Sequence, residues 1–176
     1  MRKTVLTLLI GLLSMLIACG GVAMADSEEC GDSYGYYVYP VTPEDSEWHE
    51  FESVAEKIEI CRIPEEVLET MTEEELAQAI LDFPFLLDVF VGATIPPSLD
   101  FFEEECDAYK ELLTRENGKN ALMEKLKSLS QDDSVEIEFK ADALRILLLY
   151  TEVWKEQLTE EDVSYLKEDM SWQVEE

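Results

Sequence analysis

The stretch from Ile63 to Phe90 constrains the fold more than any other part of the chain. Pro64 suits the first turn of a helix, where its missing N–H costs nothing. Val67, Leu68 and Met71 then share one face. Thr72 with Glu75 makes a Thr-x-x-Glu capping box, so a second helix starts there. Leu76, Ala79, Ile80 and Phe83 recur at helical spacing. Pro84 stops or kinks that helix, and the nearly continuous apolar run Phe85 to Phe90 predicts a buried third piece. Isolated helices shorter than about 12 residues are marginal in water, so these pieces require the rest of the chain around them.

The same texture runs through the remainder. Thr42-Pro43 reads as an N-cap and first-position proline, opening one helix whose stripe is Trp48, Phe51, Val54, Ala55, Ile58 and Cys61. Gly92 to Pro97 reads as a loop, with Ser98 capping the next helix. There Leu99, Phe102, Cys106, Tyr109 and Leu113 keep a single apolar face. Asn117-Gly118 breaks it, and a shorter helix carries Leu122, Met123, Leu126 and Leu129. Val135 to Ala141 alternates with period two, as a strand would. The capping-box-like Asp133-x-x-Glu136 and the strongly helical run that follows favour a helix. Ala143, Leu147, Tyr150, Trp154 and Leu158 form one stripe and Leu144 and Leu148 a second, the mark of a central helix. Thr159 starts a last helix with Val163, Leu166 and Met170 inward. The expected fold is all-α: one domain of packed short helical hairpins, about seven helices, over residues 42–176. An extended acidic and Tyr-rich segment, 26–41, precedes it. The rings of Tyr34, Tyr36, Tyr37 and Tyr39 suit either a seam between helices or an aromatic surface for a sugar or peptide.

Met1-Arg2-Lys3 followed by the apolar run Val5 to Ala18 has the layout of a secretory signal. Two cleavage sites compete. Ala23-Met24-Ala25 before Asp26 fits ordinary signal peptidase, giving a signal over 1–25. Leu16-Ile17-Ala18-Cys19 resembles a lipobox, giving a signal over 1–18 and a lipidated Cys19. An uncleaved anchor is the third reading, since spanning a bilayer takes about 20 apolar residues. All three place the rest of the chain outside the cytoplasm, so the expected location is exported, either secreted or membrane-anchored through Cys19.

Charge decides which partners the domain tolerates. The chain carries 13 Lys and Arg against 41 Asp and Glu, a net charge of −28; without Arg2 and Lys3 it is −30. Nucleic acid phosphates and anionic polymers are repelled by such a surface, whereas cationic proteins or peptides are attracted. Lys110, Arg115, Lys119, Lys125 and Lys127 lie close together in sequence, so a cationic partner is expected to dock away from them.

Ile63-Pro64-x-x-Val67-Leu68-x-x-Met71-Thr72-x-x-x-Leu76 and Phe83-Pro84-Phe85-Leu86, with Leu144-Arg145-Ile146-Leu147-Leu148 and Gln157-Leu158-Thr159-Glu160-Glu161, give the chain a further signature. In these residues it resembles a loose group of uncharacterised exported all-helical proteins of Gram-positive bacteria. The resemblance covers about a third of the chain after Asp26. It rests on helix punctuation and core positions, and it implies an exported helical domain. It brings no activity and no catalytic residues.

No catalytic, cofactor or metal residues are assigned. His49 stands alone at the start of a helix, without the oriented base that nucleophilic sites need. The cysteines do not form a Cys-x-x-Cys unit for zinc, and Asp26 to Asp32 lacks the spacing of a calcium loop. Cys61 and Cys106 both fall on apolar stripes. They are either two buried thiols or a disulfide pair, which an oxidising exterior permits. The expected function is non-catalytic binding of a cationic protein or peptide at the cell surface. Two alternatives remain: a cell-envelope hydrolase working through a carboxylate pair, and a structural subunit of a surface assembly.

Overall fold

The computed structural model describes residues 36–90, 95–129, 134–168 and 170. Among these residues there are nine α-helices and no strand. A 3-10 turn, Ser46–His49, leads to α1 (Val54–Ile60), α2 (Glu65–Leu68) and α3 (Glu73–Leu81). A second 3-10 turn, Leu86–Phe90, precedes α4 (Ile95–Glu105) and α5 (Asp107–Thr114). Then come α6 (Gly118–Leu129), the long α7 (Val135–Tyr150), α8 (Glu152–Lys155) and α9 (Glu160–Glu168). Tyr36 to Tyr39 belongs to no helix or strand.

The Thr72–Glu75 capping box forms at the head of α3: Glu75 N–H donates to Thr72 Oγ1 at 3.2 Å, and Thr72 N–H to Glu75 Oε2 at 2.7 Å. That backbone hydrogen bond, with a second from the Thr72 hydroxyl, holds the Glu75 carboxyl below its usual range. Leu76, Ala79, Ile80 and Phe83 are buried. α3 stops at Leu81, three residues short of Pro84, because proline bars the preceding residue from helix.

α7 is the central element. It packs against the Leu86–Phe90 turn, α4, α6, α8 and α9, while α3 lies on α5 and α6. Ala141 to Leu149 is buried without interruption, as expected of a helix covered on most sides. Residues 135–141 are helix: Ser134 Oγ accepts from Ile137 N–H at 3.4 Å. The period-two pattern is carried on α7's more exposed first turns, where Val135 and Phe139 face solvent.

Four expectations are corrected. The stripe from Trp48 to Cys61 is not one helix. Thr42 closes a turn instead, its N–H and hydroxyl donating to Asp45 Oδ2 at 2.7 and 2.9 Å. A new helix starts at Val54 because Ser53 caps it, accepting from Glu56 N–H at 3.3 Å. Val54 and Ala55 therefore face solvent. Second, Pro96 and Pro97 lie in the first turn of α4 rather than in a loop, and Ser98 lies inside that helix; proline is tolerated at a helix start. Third, the helix read through Cys106 is two helices. Cys106 is extended (φ −93°, ψ 101°) and precedes α5. The break rotates the following turn, so Leu112 is buried and Leu113 only half-buried. Fourth, the stripe running to Leu158 is cut at Thr151 (ψ 119°), and Trp154 belongs to α8.

The Cys106 break is clamped from outside. Arg62, just past α1, donates to Asp107 Oδ1 at 3.0 Å, to the Glu105 carbonyl at 3.1 Å, and to the Glu105 carboxylate. Ile63 N–H donates to the other Asp107 oxygen at 3.1 Å, and Lys110 Nζ lies 2.6 Å from Asp107 Oδ1. The break at Thr151 is held by its hydroxyl, which donates to the Leu147 carbonyl and also meets the Tyr109 hydroxyl.

A chain of rings ties these pieces together. Tyr37–Tyr39, Tyr39–Phe83, Phe83–Phe102, Phe102–Tyr109 and Tyr109–Trp154 have centroids 5.2, 5.9, 5.7, 6.1 and 5.4 Å apart. Their edge-to-face or tilted packing contributes about 0.5–1.5 kcal/mol per pair beyond area burial.

Gly118 opens α6 where the chain turns back on α5. A β-carbon there would lie 2.2 Å from the backbone oxygen of Leu112. Glycine to alanine in a helix ordinarily gains about 0.5–1 kcal/mol. Here the clash is with backbone, and overpacking costs about 1–3 kcal/mol. Gly118→Ala should therefore lower the urea midpoint. A raised midpoint would mean that the α5–α6 turn yields freely.

Candidate functional site

A groove of about 460 Å3 opens on the surface of the described residues. Tyr36 to Tyr39 forms one wall, residues between Leu81 and Leu87 another, and α7 contributes Glu136 and Lys140. The first wall follows from alternation. Tyr39 is buried and Tyr37 half-buried, while Val38 between them is 80% exposed. Tyr39 is also anchored: its hydroxyl donates to the Ala79 carbonyl at 3.1 Å. That carbonyl is free because Phe83 N–H bonds to Ile80 instead, as α3 ends. Burial, above all, pushes the Tyr39 hydroxyl far up, so it stays neutral and remains a donor.

The floor is apolar and the rim is acidic. Leu81, Phe83 and Leu86 are buried beneath the groove, and Leu87 is 41% exposed beside it. Among the described residues, Glu44, Asp82 and Glu136 bring carboxylates to the rim against one cation, Lys140. Lys140 is paired with Glu136 at 3.0 Å. Val135 and Phe139, exposed on the same end of α7, extend the apolar character. The arrangement can hold an apolar side chain between carboxylates. Of the Tyr-rich segment, Tyr37 and Tyr39 serve as packing rings, and Val38 is what reaches solvent.

The basic cluster is engaged in ion pairs, hydrogen bonds and ring contacts, and of its members Lys125 reaches the groove's edge through Tyr36. Lys110 meets Asp107, Arg115 meets Glu111 at 2.7 Å, and Lys119 meets Asp162 at 3.3 Å. Lys125 Nζ donates to Gln78 Oε1 at 2.7 Å and lies over the Tyr36 ring, and Lys127 lies over the Tyr165 ring. His49 is exposed at the end of its 3-10 turn. Asp142 is the one fully buried carboxylate among the described residues, and Arg145 Nη1 lies 2.7 Å from it. Among the described residues no group of three or more His, Cys, Asp or Glu side chains is placed to hold a metal ion, and no helix is long and apolar enough to cross a membrane. Cys19, Cys30 and Asp26 to Asp32 lie outside the described residues.

Cys61 and Cys106, the candidate disulfide pair, are buried free thiols here. Burial pushes their pKa values up to about 11 and about 12. The thiolate is the reactive species, so both should resist alkylation in the native protein at pH 8 and label on unfolding. Peptide mapping after iodoacetamide treatment checks each separately. Rapid native labelling of Cys106 would contradict its enclosure.

Sequence reasoning did not single out Val38, Asp82 or Leu87. Asp82 and Leu87 flank Pro84, so the helix stop was the nearest signal, but the meeting of that stop with Tyr37 to Tyr39 is a tertiary event. No protein-family model, no curated protein and no solved structure matches the chain.

Proposed function

We propose that the chain is an exported, non-catalytic helical domain that binds a cationic protein or peptide in the groove between Tyr37–Tyr39 and Leu81–Leu87. The observation that carries the reading is an apolar floor under a carboxylate rim, on a chain of net charge −28. The field draws a cationic partner in, and the floor supplies short-range affinity through apolar burial. Lys140, the rim's cation among the described residues, is paired with Glu136, which leaves Glu44 and Asp82 to face a ligand.

An octapeptide alternating lysine and leucine tests it by calorimetry and stopped flow. It should bind, its on-rate should fall steeply from low salt to 0.5 M, and the glutamate-for-lysine peptide should not bind. Glu44→Gln and Asp82→Asn should each weaken binding by up to about fivefold, the scale of an exposed ion pair at about 0.2–1 kcal/mol. A salt-indifferent on-rate, or equal binding of the acidic peptide, contradicts the reading.

Export rests on the positive start, the apolar run and the lipobox-like Leu16-Ile17-Ala18-Cys19. The intact mass of the native protein decides the form. A lipidated N-terminal Cys19 is the anchored form, and a chain starting at Asp26 in the medium is the secreted form. A protein retaining Met1 in the cytoplasm contradicts export.

A further inference from the structure

In the part of the groove's first wall from Tyr37 to Tyr39, burial alternates as it does along an extended chain, and the main chain has no hydrogen-bond partner among the described residues. No backbone or side-chain hydrogen bond joins the main chain of Tyr37, Val38 or Tyr39 to any described residue. Well over nine in ten buried backbone groups in folded proteins find a partner, and Tyr39 is only 4% exposed. Its ring is fixed by the Ala79 carbonyl and by Phe83, so the segment cannot swing away to seek one. Pro40 and Val41 bend the chain immediately after it, which limits the extended edge to this short run.

We propose that the ligand enters as an extended cationic peptide that pairs its backbone with Tyr37 and Tyr39, adding a strand to this segment. The proposal rests on the groove-binding reading above and specifies how the ligand is held. Antiparallel neighbours exchange both N–H···O bonds at every second residue, so Tyr37 and Tyr39 pair along one edge while Val38 points its main chain the other way. Main-chain pairing of this kind gives affinity, and pockets for alternate side chains give specificity. Alternate apolar side chains of the peptide enter over Phe83 and Leu87, and the cationic ones between them meet Glu44 and Asp82 at the rim. A second copy of this chain is a poor occupant of the same edge, because two domains of this charge repel one another.

Two N-methylated versions of the lysine–leucine octapeptide, used with the full chain, separate the outcomes. One is methylated at the leucines and the other at the lysines, so each removes the donors of one edge only. The expected result is that one version binds at least tenfold more weakly than the unmodified peptide and the other binds within about twofold. Hydrogen exchange should slow at the Tyr37 and Tyr39 amides on binding and stay unchanged at Val38. If both methylated peptides bind like the parent and no amide of the segment is protected, backbone pairing is overturned while groove binding stands. If the parent peptide does not bind at all, both are overturned.

Discussion

Replacing Phe102 with alanine is expected to lower stability by about 3–5 kcal/mol, the range for emptying a buried aromatic site. Phe102 has no exposed surface, and its ring lies 5.7, 6.1 and 6.1 Å from those of Phe83, Phe101 and Tyr109. It is the link where the end of α3, the body of α4 and the start of α5 meet. Total stabilities are about 5–15 kcal/mol, so the loss removes a large share. The neighbouring Phe101 is half-buried, and Phe101→Ala should cost clearly less. Urea unfolding with an unchanged slope reads both. Equal losses for the two variants would mean that the ring chain is not the centre of the core.

Arg145→Met is expected to cost a similar amount for a different reason. Arg145 is 7% exposed and Asp142 fully buried, one turn apart on α7, with Nη1 and Oδ1 2.7 Å apart. Removing the cation leaves a buried carboxylate without it, at about 3–5 kcal/mol. The pair itself contributes little compared with a well-packed apolar pair, since taking both charges out of water is costly. Asp142→Leu combined with Arg145→Met should therefore be more stable than Arg145→Met alone. A double variant less stable than the single would mean that the pair holds α7 through contacts an apolar side chain cannot supply.

The sequence was most legible where the determinants are local. Thr72 with Glu75 and Pro84 bound α3 from both ends with residues a few positions away, and the stripe between them is buried as its spacing requires. Three breaks were not legible, at residues 50–53, at Cys106 and at Thr151, because the stripes continue across them. Two of these breaks are held by distant groups. Arg62 reaches over to Asp107 beside Cys106, and the Tyr109 hydroxyl meets Thr151. Periodicity reports one face at a time and carries no trace of such partners. The break before α1 was closer to hand, in Ser53 and Glu56, but the apolar stripe outweighed it. The groove was legible only in its charge. Its apolar floor exists because Tyr39 docks on the carbonyl that the end of α3 leaves open.

Amide chemical-shift mapping of the chain, titrated with the lysine–leucine octapeptide at low salt, tests the binding account most directly. The account predicts shifts concentrated at Tyr36 to Glu44, Leu81 to Leu87 and the first turns of α7, saturating together at one equivalent. Shifts spread evenly over the acidic helix starts at Glu65, Glu73 and Glu160, without saturation, would contradict it, for the charge would then be attracting peptides without a site to receive them.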